Sequence, residues 1–404
     1  MAFSEYSAQI SAPARAKRTR KLILLGASGS IGSSTLSILP ESGIELVAVS
    51  VHGKADRLAE IISKFPTIRY AAITDPEMAQ GLARLSASFP SVQFFSGSNG
   101  LVELVRLGAQ AGADTVLTAV MGSAGIAPTL KAIQIGLKIA LANKETLVTA
   151  GPVIENALAL SRACIVPVDS EHNALFQLLL GVEPEHLRRA ILTASGGPFL
   201  SKSKADVEKV SRDEVLNHPT WSMGPKITVD SAGLINKGLE IIEAHHLFGI
   251  PYSQLDVLIH PVSHVHAMVE TPDGYRMMAS RPTMVFPIAH ALYYPDPVPE
   301  LGIATRPESW PPLEFRTVDT EQFPGFRLCM EAARAGGTAP AVLNASNEVA
   351  AGLFLSGLIQ FTAIPHLIEL ALDRIPVQKG TETGLYLEAD ARARALTSEM
   401  AREL

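Results

Sequence analysis

Residues 21–34 read KLILLGASGSIGSS and decide the fold of the N-terminal part of the chain. The largely apolar run 21–25 predicts a buried strand, and Gly26, Gly29 and Gly32 then open a helical pattern. Glycine at a strand–helix turn lets the backbone approach a pyrophosphate, and the helix N-terminus supplies N–H groups and partial positive charge. The spacing is G-x-x-G-x-x-G rather than G-x-G-x-x-G, so a glycine-rich turn without a ligand stays open as an alternative.

The alternation of strands and helices continues to about residue 150. Strands are predicted at 21–25, 45–51, 69–74, 114–120 and 138–142, and helices at 56–65, 76–86 and 98–108. Such alternation is typical of an α/β fold with a doubly wound, Rossmann-like parallel sheet and helices on both of its faces.

The remaining sequence predicts a central α/β domain followed by a C-terminal helical bundle. Central strands are expected at 164–168, 189–194, 226–230, 256–262, 266–270 and 275–280, in an antiparallel or mixed sheet, the last two joined by the turn TPDG. Prolines mark the following connection, after which the pattern is helical. The predicted divisions are a disordered extension (1–20), a dinucleotide-binding domain (21–160), a catalytic domain (161–295), a linker (296–320) and a helical domain (321–404).

Composition excludes several classes of protein. Of the 404 residues 47% are hydrophobic and 18% charged, which is typical of a folded chain rather than a disordered one. The net charge of −6 argues against nucleic acid as a partner. Two cysteines cannot build a disulfide framework or a thiolate zinc site. No stretch predicts a membrane span or a secretory signal, so we expect a cytoplasmic protein, although an organelle transit fragment at the N-terminus stays conceivable.

The end of the second strand bears on the choice of nicotinamide cofactor. NAD sites usually place an acidic residue there for the ribose 2′-hydroxyl, whereas this strand is followed by Gly53, Lys54 and Arg57. A cation suits a 2′-phosphate, so the sequence favours NADPH. The alternative is that both cations are ordinary solvated side chains.

Three acidic residues are candidate metal ligands. Asp169 and Glu171 follow a predicted strand and could converge if the chain stays extended, while Asn236 and Glu240 share one helical face. Three carboxylates with open positions suit Mg²⁺ or Mn²⁺ rather than zinc. From these residues alone, helix caps and surface acids are the simpler interpretation.

Two further motifs indicate a phosphate site and a covering loop. TASGGPF (193–199) offers a hydroxyl and two glycines after a strand, and Ser231, Asn236 and Lys237 add donors for a phosphate monoester. NHPTWSMG (217–224) places Trp221 in a loop that could close over a ligand or simply anchor the loop to the core. His266 is predicted to share a strand face with His260 and His264, and a structural role for it is equally open.

Seven ordered blocks resemble one family, the 1-deoxy-D-xylulose 5-phosphate reductoisomerases of the non-mevalonate isoprenoid pathway. The blocks are GASGSIG, LANKETLV (141–148), PVDSEHNALFQ (167–177), TASGGPF, NHPTWSMG, VDSAGLINKGLEIIEA (229–244) and LNASNEVA (343–350). The resemblance extends from about residue 21 to the end. It implies a homodimer that uses NADPH and Mg²⁺ or Mn²⁺ to convert 1-deoxy-D-xylulose 5-phosphate, a small phosphorylated sugar, into 2-C-methyl-D-erythritol 4-phosphate.

The resemblance also implies roles for individual residues. Metal ligands would be Asp169, Glu171 and Glu240, with Lys144 and His218 as further catalytic residues. Substrate would be bound by Ser170, Glu145, Ser195, Trp221, Ser231, Asn236, Lys237 and His266. The cofactor would be bound by Gly26, Ser28, Gly29, Ser30, Ile31, Gly32, Gly53, Lys54, Ala119, Asn143, Glu145, Met223, Gly224 and Met284.

The chain departs from the family pattern at Ala55, Val262, His264, Thr283 and Val285. These departures bear on contacts beneath the nicotinamide and on the strand at the dimer side, and none falls in the metal or phosphate set. Three other functions share parts of this pattern: an oxidoreductase with the same product and a different C-terminal part, a catalytically silent NADP-binding regulator, and an NADP dehydrogenase without metal. The intact loop NHPTWSMG (217–224), the flap, and the C-terminal motif LNASNEVA (343–350) argue against the first, and the three carboxylates argue against the second.

Overall fold

The computed structural model describes residues 17–403, apart from residues 76, 79, 80, 222, 304 and 305. Within that part of the chain, seven parallel strands form the first sheet in the order 4-3-2-1-5-6-7. They are β1 Lys21–Leu25, β2 Glu45–Val51, β3 Tyr70–Ile73, β4 Gln93–Ser96, β5 Thr115–Thr118, β6 Lys138–Leu141 and β7 Cys164–Pro167.

The order of the strands reverses beside β1. β1 pairs with β2 on one side and with β5 on the other, so the chain winds outward in both directions from this point. In open α/β sheets, ligands bind in the crevice at such a switch point, beyond the carboxyl ends of the strands. The predicted doubly wound sheet is confirmed, and the glycine-rich loop after β1 lies at the switch point.

Two strands differ from the prediction. The sequence predicts β7 as part of the central sheet, but it pairs with β6 and is the last strand of the first sheet. The residues that follow β7 therefore lie at the same edge of this sheet as the loop after β1. β4 was not predicted, because four partly exposed edge residues carry too short a pattern. The predicted domain boundaries stay a proposal.

The second sheet is mixed, as expected. Its order is 11-10-8-9-12, where β8 and β9 are parallel and the other neighbouring pairs are antiparallel. Gly274 follows a tight turn, so the predicted hairpin between the last two central strands is confirmed. The strands are β8 Arg189–Ala194, β9 Leu255–Ile259, β10 Val265–Thr271, β11 Gly274–Ala279 and β12 Arg316–Thr317.

The helices follow the predicted division into flanking and C-terminal groups. The last four pack together around their own apolar cluster, which confirms the C-terminal helical region. In chain order the helices are α1 Ser30–Ser42, α2 Ala55–Lys64, α3 Gly81–Ser88, α4 Gly97–Gln110, α5 Ile126–Ile135, α6 Lys144–Ala159, α7 Ser170–Leu179, α8 Lys204–Val207, α9 Arg212–Leu216, α10 Pro225–Ala232, α11 Ile235–Phe248, α12 Val285–Tyr293, α13 Pro324–Ala335, α14 Ala339–Leu355, α15 Ala363–Arg374 and α16 Thr383–Met400.

The predicted strand at 226–230 is wrong, since these residues lie in α10. The β-branched run ITV suggested a strand, but Gly224 and Pro225 occupy the N-cap and first helical positions, where proline is well suited to start a helix. The Thr228 hydroxyl donates to the Gly224 carbonyl, which satisfies a group of the first turn. The start signal therefore outweighs the strand propensity.

The N-terminal extension was predicted for residues 1–20. Residues 1–16 lie outside the described part of the chain. Arg18 donates to the Ser42 carbonyl and the buried Thr19 donates its backbone N–H to Leu292, so residues 17–20 belong to the folded part. Among the described residues, no helix combines the length and the hydropathy that crossing a bilayer requires.

Candidate active site

The loop after β1 is built to admit a phosphate group. Gly26 has φ 89°, and a Cβ there would lie 2.3 Å from the carbonyl oxygen of Ala119, at the end of β5. A Cβ at Gly32 would lie 2.4 Å from the Gly26 oxygen. Gly29 is the N-cap of α1 and has no side chain with which to occupy the first-turn N–H groups, so these remain available to an anion.

The turn after β2 carries the cation expected to select NADPH. Lys54 is exposed at the N-cap of α2, whereas Arg57 is engaged with Glu60 at 2.7 Å. A Cβ at Gly53 would lie 3.1 Å from the carboxylate of Asp75. Of the two cations, Lys54 is therefore the candidate for the 2′-phosphate.

We expect Lys54→Asp to move cofactor preference from NADPH toward NADH by about 100-fold or more in the ratio of the two kcat/KM values. An acid at this position would repel a 2′-phosphate and suit a ribose hydroxyl. The matched change Arg57→Asp should alter the ratio much less, because Arg57 already pairs with Glu60. A ratio that Lys54→Asp leaves unaltered would contradict the assignment.

A cavity of about 350 Å³ lies between the loop after β1, the start of α7 and the loop before α10. It collects most of the residues named from the sequence. Those that line it are Ser30, Ile31, Lys144, Asp169, Ser170, Glu171, Ser195, His218, Trp221, Met223, Ser231, Asn236, Lys237, Glu240 and Met284. Lining residues that the sequence analysis missed include Ala194, Thr220, Ile227 and Leu234, whose apolar or neutral side chains carry no chemical signal.

Three carboxylates converge at the floor of this cavity. Ligand oxygens of Asp169, Glu171 and Glu240 all lie within 4.8 Å of one another. Asp169 and Glu171 do not converge along an extended chain, as the sequence analysis expected. They lie close together because Asp169 is the N-cap of α7 and Glu171 lies in its first turn. Glu240 comes from α11, whose residue Asn236 donates to it at 2.5 Å across one helical turn. Oxygen donors gathered in this way fit a divalent cation such as Mg²⁺.

Two lysines neutralise the carboxylates. The Lys144 ammonium lies 2.8 Å from Asp169 and 3.0 Å from Glu240, and the Lys237 ammonium lies 3.0 Å from Glu171 and also donates to Glu240. Burial lowers the pKa of Lys144, but the charges of Asp169 and Glu240 outweigh it and raise that pKa well above its ordinary value. Both ammonium groups therefore stay charged, as expected of cations that balance an acidic cluster.

The carboxyl groups differ in their affinity for protons. Burial raises the pKa of Glu171 to about 7, although the Lys237 charge opposes the shift. Burial also tends to raise the pKa of Asp169, but Lys144, His172 and Lys237 together outweigh it and lower that pKa. Cation binding requires the deprotonated carboxylate, so a proton on Glu171 competes with a metal ion below neutral pH.

His172 and Glu243 lie directly behind the carboxylates and were missed from the sequence. His172 is fully buried, and its Nε2 donates to the backbone carbonyl of Glu240 at 2.8 Å, while Nδ1 faces Glu243 at 3.2 Å. These contacts hold α7 against α11, the two helices that supply the proposed metal ligands. Their spacing in the sequence could have indicated this role, because each stands three residues after a proposed metal ligand and therefore on the same helix face.

The loop after β8 forms the proposed phosphate site. The Ser195 oxygen accepts hydrogen bonds from the Gly197 N–H at 3.2 Å and from Nε2 of His218 at 3.0 Å. Nδ1 of His218 accepts from the N–H groups of Thr220 and Trp221, so His218 is neutral with its proton on Nε2. Burial lowers the pKa of His218, in agreement with the neutral form. The Ser195 hydroxyl is left free to donate to a phosphate oxygen.

The other predicted phosphate ligands, Ser231, Asn236 and Lys237, also line the cavity. Ser231 lies beside the Ser195 loop, since a Cβ at Gly197 would lie 2.7 Å from the Ser231 carbonyl oxygen. Asn236 accepts from Lys144 at 2.8 Å. The ammonium of Lys237 contacts the carboxylates of Glu171 and Glu240, and the lysine lines the same cavity as Ser195 and Ser231.

The flap lines the cavity through His218, Thr220, Trp221 and Met223, whereas His266 lies beside Trp221 and is not part of the lining. Trp221 is half-buried, with its ring centroid 6.3 Å from that of His266. His266 hydrogen-bonds the Ser280 hydroxyl at 3.0 Å, and burial lowers its pKa to about 4, so it is neutral. The prediction that three histidines share one strand face is wrong, because His260 and His264 lie in the loop between β9 and β10.

Asn143 and Glu145, predicted to bind the cofactor, flank the start of α6. Asn143 caps this helix by accepting from the Thr146 N–H at 2.9 Å, and it donates to the Val120 carbonyl at 2.7 Å. Glu145 accepts from Asn143 at 3.1 Å, and burial raises its pKa. Gly224 is the N-cap of α10. The structure thus places Asn143 at the loop after β5, beside Ala119, and Glu145 behind it.

Two of the departures from the family pattern have visible local roles. Thr283 lines the cavity and accepts from the Val285 N–H at the start of α12. The ring of His264 lies 5.0 Å from that of Trp310, and its Nδ1 contacts the Val262 carbonyl. Neither touches the proposed metal ligands.

Comparison with known proteins covers nearly the whole chain. Three family descriptions match: 1-deoxy-D-xylulose 5-phosphate reductoisomerase at residues 22–151, its C-terminal domain at 165–248, and the DXP reductoisomerase C-terminal domain at 279–396. A reductoisomerase of that name from Leptospira biflexa is 46% identical over 374 residues, covering 92% of this chain and 95% of the relative. One from Listeria welshimeri is 42% identical over 383 residues, covering 93% of this chain and 98% of the relative.

Solved structures of similar proteins have the same fold as this chain. The Zymomonas mobilis reductoisomerase, in complex with NADPH, superposes with a TM-score of 0.87 at 36% identity, covering 95% of this chain and 100% of that one. A DOX-P reductoisomerase in complex with NADPH, fosmidomycin and magnesium superposes with a TM-score of 0.89 at 34% identity, covering 95% of this chain and 98% of that one. By sequence along nearly its full length and by fold, this chain belongs to the 1-deoxy-D-xylulose 5-phosphate reductoisomerase family.

Proposed function

We propose that this chain converts 1-deoxy-D-xylulose 5-phosphate into 2-C-methyl-D-erythritol 4-phosphate, using NADPH and a divalent metal ion, Mg²⁺ or Mn²⁺. The observation that carries the proposal is the convergence of three carboxylates at the floor of a cavity that also opens to the glycine-rich loop. Relatives whose structures hold NADPH and magnesium support both cofactors.

Asp169, Glu171 and Glu240 would hold the metal ion, which supplies Lewis-acid stabilisation of negative charge on the substrate's oxygens during the skeletal rearrangement. The buried Lys144 stays charged and lies 2.8 Å from Asp169, where it would orient a substrate hydroxyl and balance the acidic cluster. Ser170 lines the same wall. The loop after β1 would hold NADPH, which would supply the hydride that reduces the rearranged aldehyde.

The phosphate would be bound in the same cavity beside the acidic cluster, since Asn236 and Lys237 also hydrogen-bond the proposed metal ligands. Ser195 keeps a hydroxyl proton to donate because its oxygen already accepts from Gly197 and His218. Ser231, Asn236 and Lys237 would complete the cradle. Trp221 would cover the substrate, and the exclusion of water would strengthen each of these polar contacts. Met223 and Met284 line the cavity and would flank the nicotinamide.

We propose further that the chain acts in the cytoplasm as a homodimer, with neither membrane nor nucleic acid as partner. β11 is an edge strand of the second sheet and exposes Tyr275 and Met277 on its surface. An exposed apolar edge strand is a natural surface for pairing with a second copy. Light scattering of the purified chain would distinguish a dimer from a monomer.

The decisive experiment is NADPH oxidation with 1-deoxy-D-xylulose 5-phosphate, followed with and without a chelator. We expect turnover that a chelator abolishes and added Mg²⁺ or Mn²⁺ restores, because the carboxylates alone cannot stabilise negative charge on the substrate. A metal-free NADP dehydrogenase would be insensitive to chelator. A catalytically silent regulator would bind NADPH without oxidising it under any of these conditions.

A further inference from the structure

A ring of polar contacts connects the flap, the cofactor domain and the C-terminal helices. Lys226 lies in the first turn of α10, two residues after Gly224, and is about four-fifths buried. Its ammonium lies 2.7 Å from the buried Asp230 and 3.8 Å from Glu145 at the start of α6. The cation thus joins the last residues of the flap to the helix that carries Asn143.

The ring closes through α14. Asn347 is fully buried and donates to Asp230 at 2.9 Å. The next residue, Glu348, packs its carboxylate against Gly122, where a Cβ would lie 3.0 Å from it. The Gly122 carbonyl accepts from Asn143 at 3.1 Å. The LNASNEVA motif, which the proposed chemistry does not use, therefore contacts both the anchor of the flap and the loop after β5.

We propose that Lys226 is a positioning residue for hydride transfer. This role rests on the function proposed above. Met223 and Gly224 are expected to contact the cofactor, and they directly precede the helix that Lys226 ties down. Asn143, which is also expected to contact the cofactor, donates to Val120 and Gly122 of the loop after β5 and forms the second wall. Lys226 sets the distance between these two walls, because it is the cation held between a carboxylate from each of them.

Its removal would have two physical effects. Glu145 and Asp230 would lose the charge that balances them, and the start of α10 would lose its tie to α6. Displacements of about 1 Å at a reacting centre can cost about 100-fold in rate. Ser231 is the one proposed phosphate ligand on α10, whereas Ser195, Asn236, Lys237 and the proposed metal ligands belong to other elements, so binding of the sugar phosphate should be largely preserved.

The test compares Lys226→Met with wild type, using NADPH and NADPH carrying deuterium at the transferred position. We expect kcat to fall about 10- to 100-fold, the KM for 1-deoxy-D-xylulose 5-phosphate to stay within about threefold, and the deuterium isotope effect on kcat to rise. Lys226→Arg should recover most of the rate, since a guanidinium reaches both carboxylates. Lys202→Met is the matched control, because Lys202 pairs with Glu214 before the flap and takes no part in the ring.

Three results would overturn the proposal: an unchanged kcat, a kcat lowered with the isotope effect of wild type, or a loss that appears mainly in the KM for the sugar phosphate. If Lys226→Met does not fold, Asn347→Leu removes the neighbouring contact of the ring and is judged by the same three quantities. Wild-type turnover is measured in the same assay, and its absence would refute the proposed function rather than this role of Lys226.

Discussion

Replacing Glu240 with Gln is expected to reduce kcat by about 1,000-fold or more while leaving the affinity for NADPH nearly unchanged. Glu240 is 1% exposed and is the one proposed ligand that contacts both buried lysines. A neutral amide would weaken metal binding and leave Lys144 and Lys237 with an incomplete set of counter-charges. A loss of about 4 kcal/mol in transition-state stabilisation corresponds to that factor in rate.

The measurement combines kcat at saturating Mg²⁺ with NADPH affinity from quenching of tryptophan fluorescence. Glu331→Gln is a suitable control, since Glu331 is an exposed glutamate on α13 that pairs with Arg327. A Glu240→Gln protein that kept near-native kcat with Mg²⁺ present would refute the metal assignment. Loss of NADPH binding would instead indicate a general structural defect.

Truncation of Lys237 to Ala should mainly raise the KM for the phosphorylated substrate, by about 30- to 100-fold. A buried, charge-assisted hydrogen bond to a phosphate contributes about 2 to 3 kcal/mol, which corresponds to this factor. Lys237 is 3% exposed and lines the cavity together with Ser195 and Ser231, so its truncation would remove a buried ammonium from the proposed phosphate cradle.

The specificity of this effect can be tested with the substrate that lacks its phosphate. If Lys237 binds the phosphate, Lys237→Ala and wild type should handle unphosphorylated 1-deoxy-D-xylulose almost equally. Lys209→Ala removes an exposed lysine and should match wild type with both compounds. An unchanged KM for the phosphorylated substrate would disprove the phosphate role, and an effect confined to metal affinity would assign Lys237 to the carboxylates alone.

Local patterns predicted most of the elements near the cofactor loop. The apolar run of β1, followed by glycines and a helix, has one common structural solution, and β1 and β2 were predicted with their observed bounds. Prediction failed where two local signals competed. At 226–230 the β-branched residues favoured a strand, while Gly224 and Pro225 started a helix, and this start signal outweighed the strand propensity.

The acidic site was predicted as a set of residues but not in its geometry. Asp169 and Glu171 were expected to meet along an extended chain, whereas the helix that starts at Ser170 brings them together. Nothing in the local sequence indicated that β7 completes the first sheet, although this pairing carries both residues to the edge where ligands bind. His172 and Glu243 stayed unnoticed because a buried histidine beside a glutamate looks like ordinary packing.

The amino-acid sequence by itself determined the strand–glycine–helix unit, the family and the residue types available for metal, phosphate and cofactor. Those properties depend on neighbours a few positions apart. Only the tertiary structure decided that α7 and α11 point their carboxylates at one place, and that Lys226, Asn347 and Glu145 share one ring. Contacts between residues more than sixty positions apart depend on how sheets and helices pack, which no short window of sequence specifies.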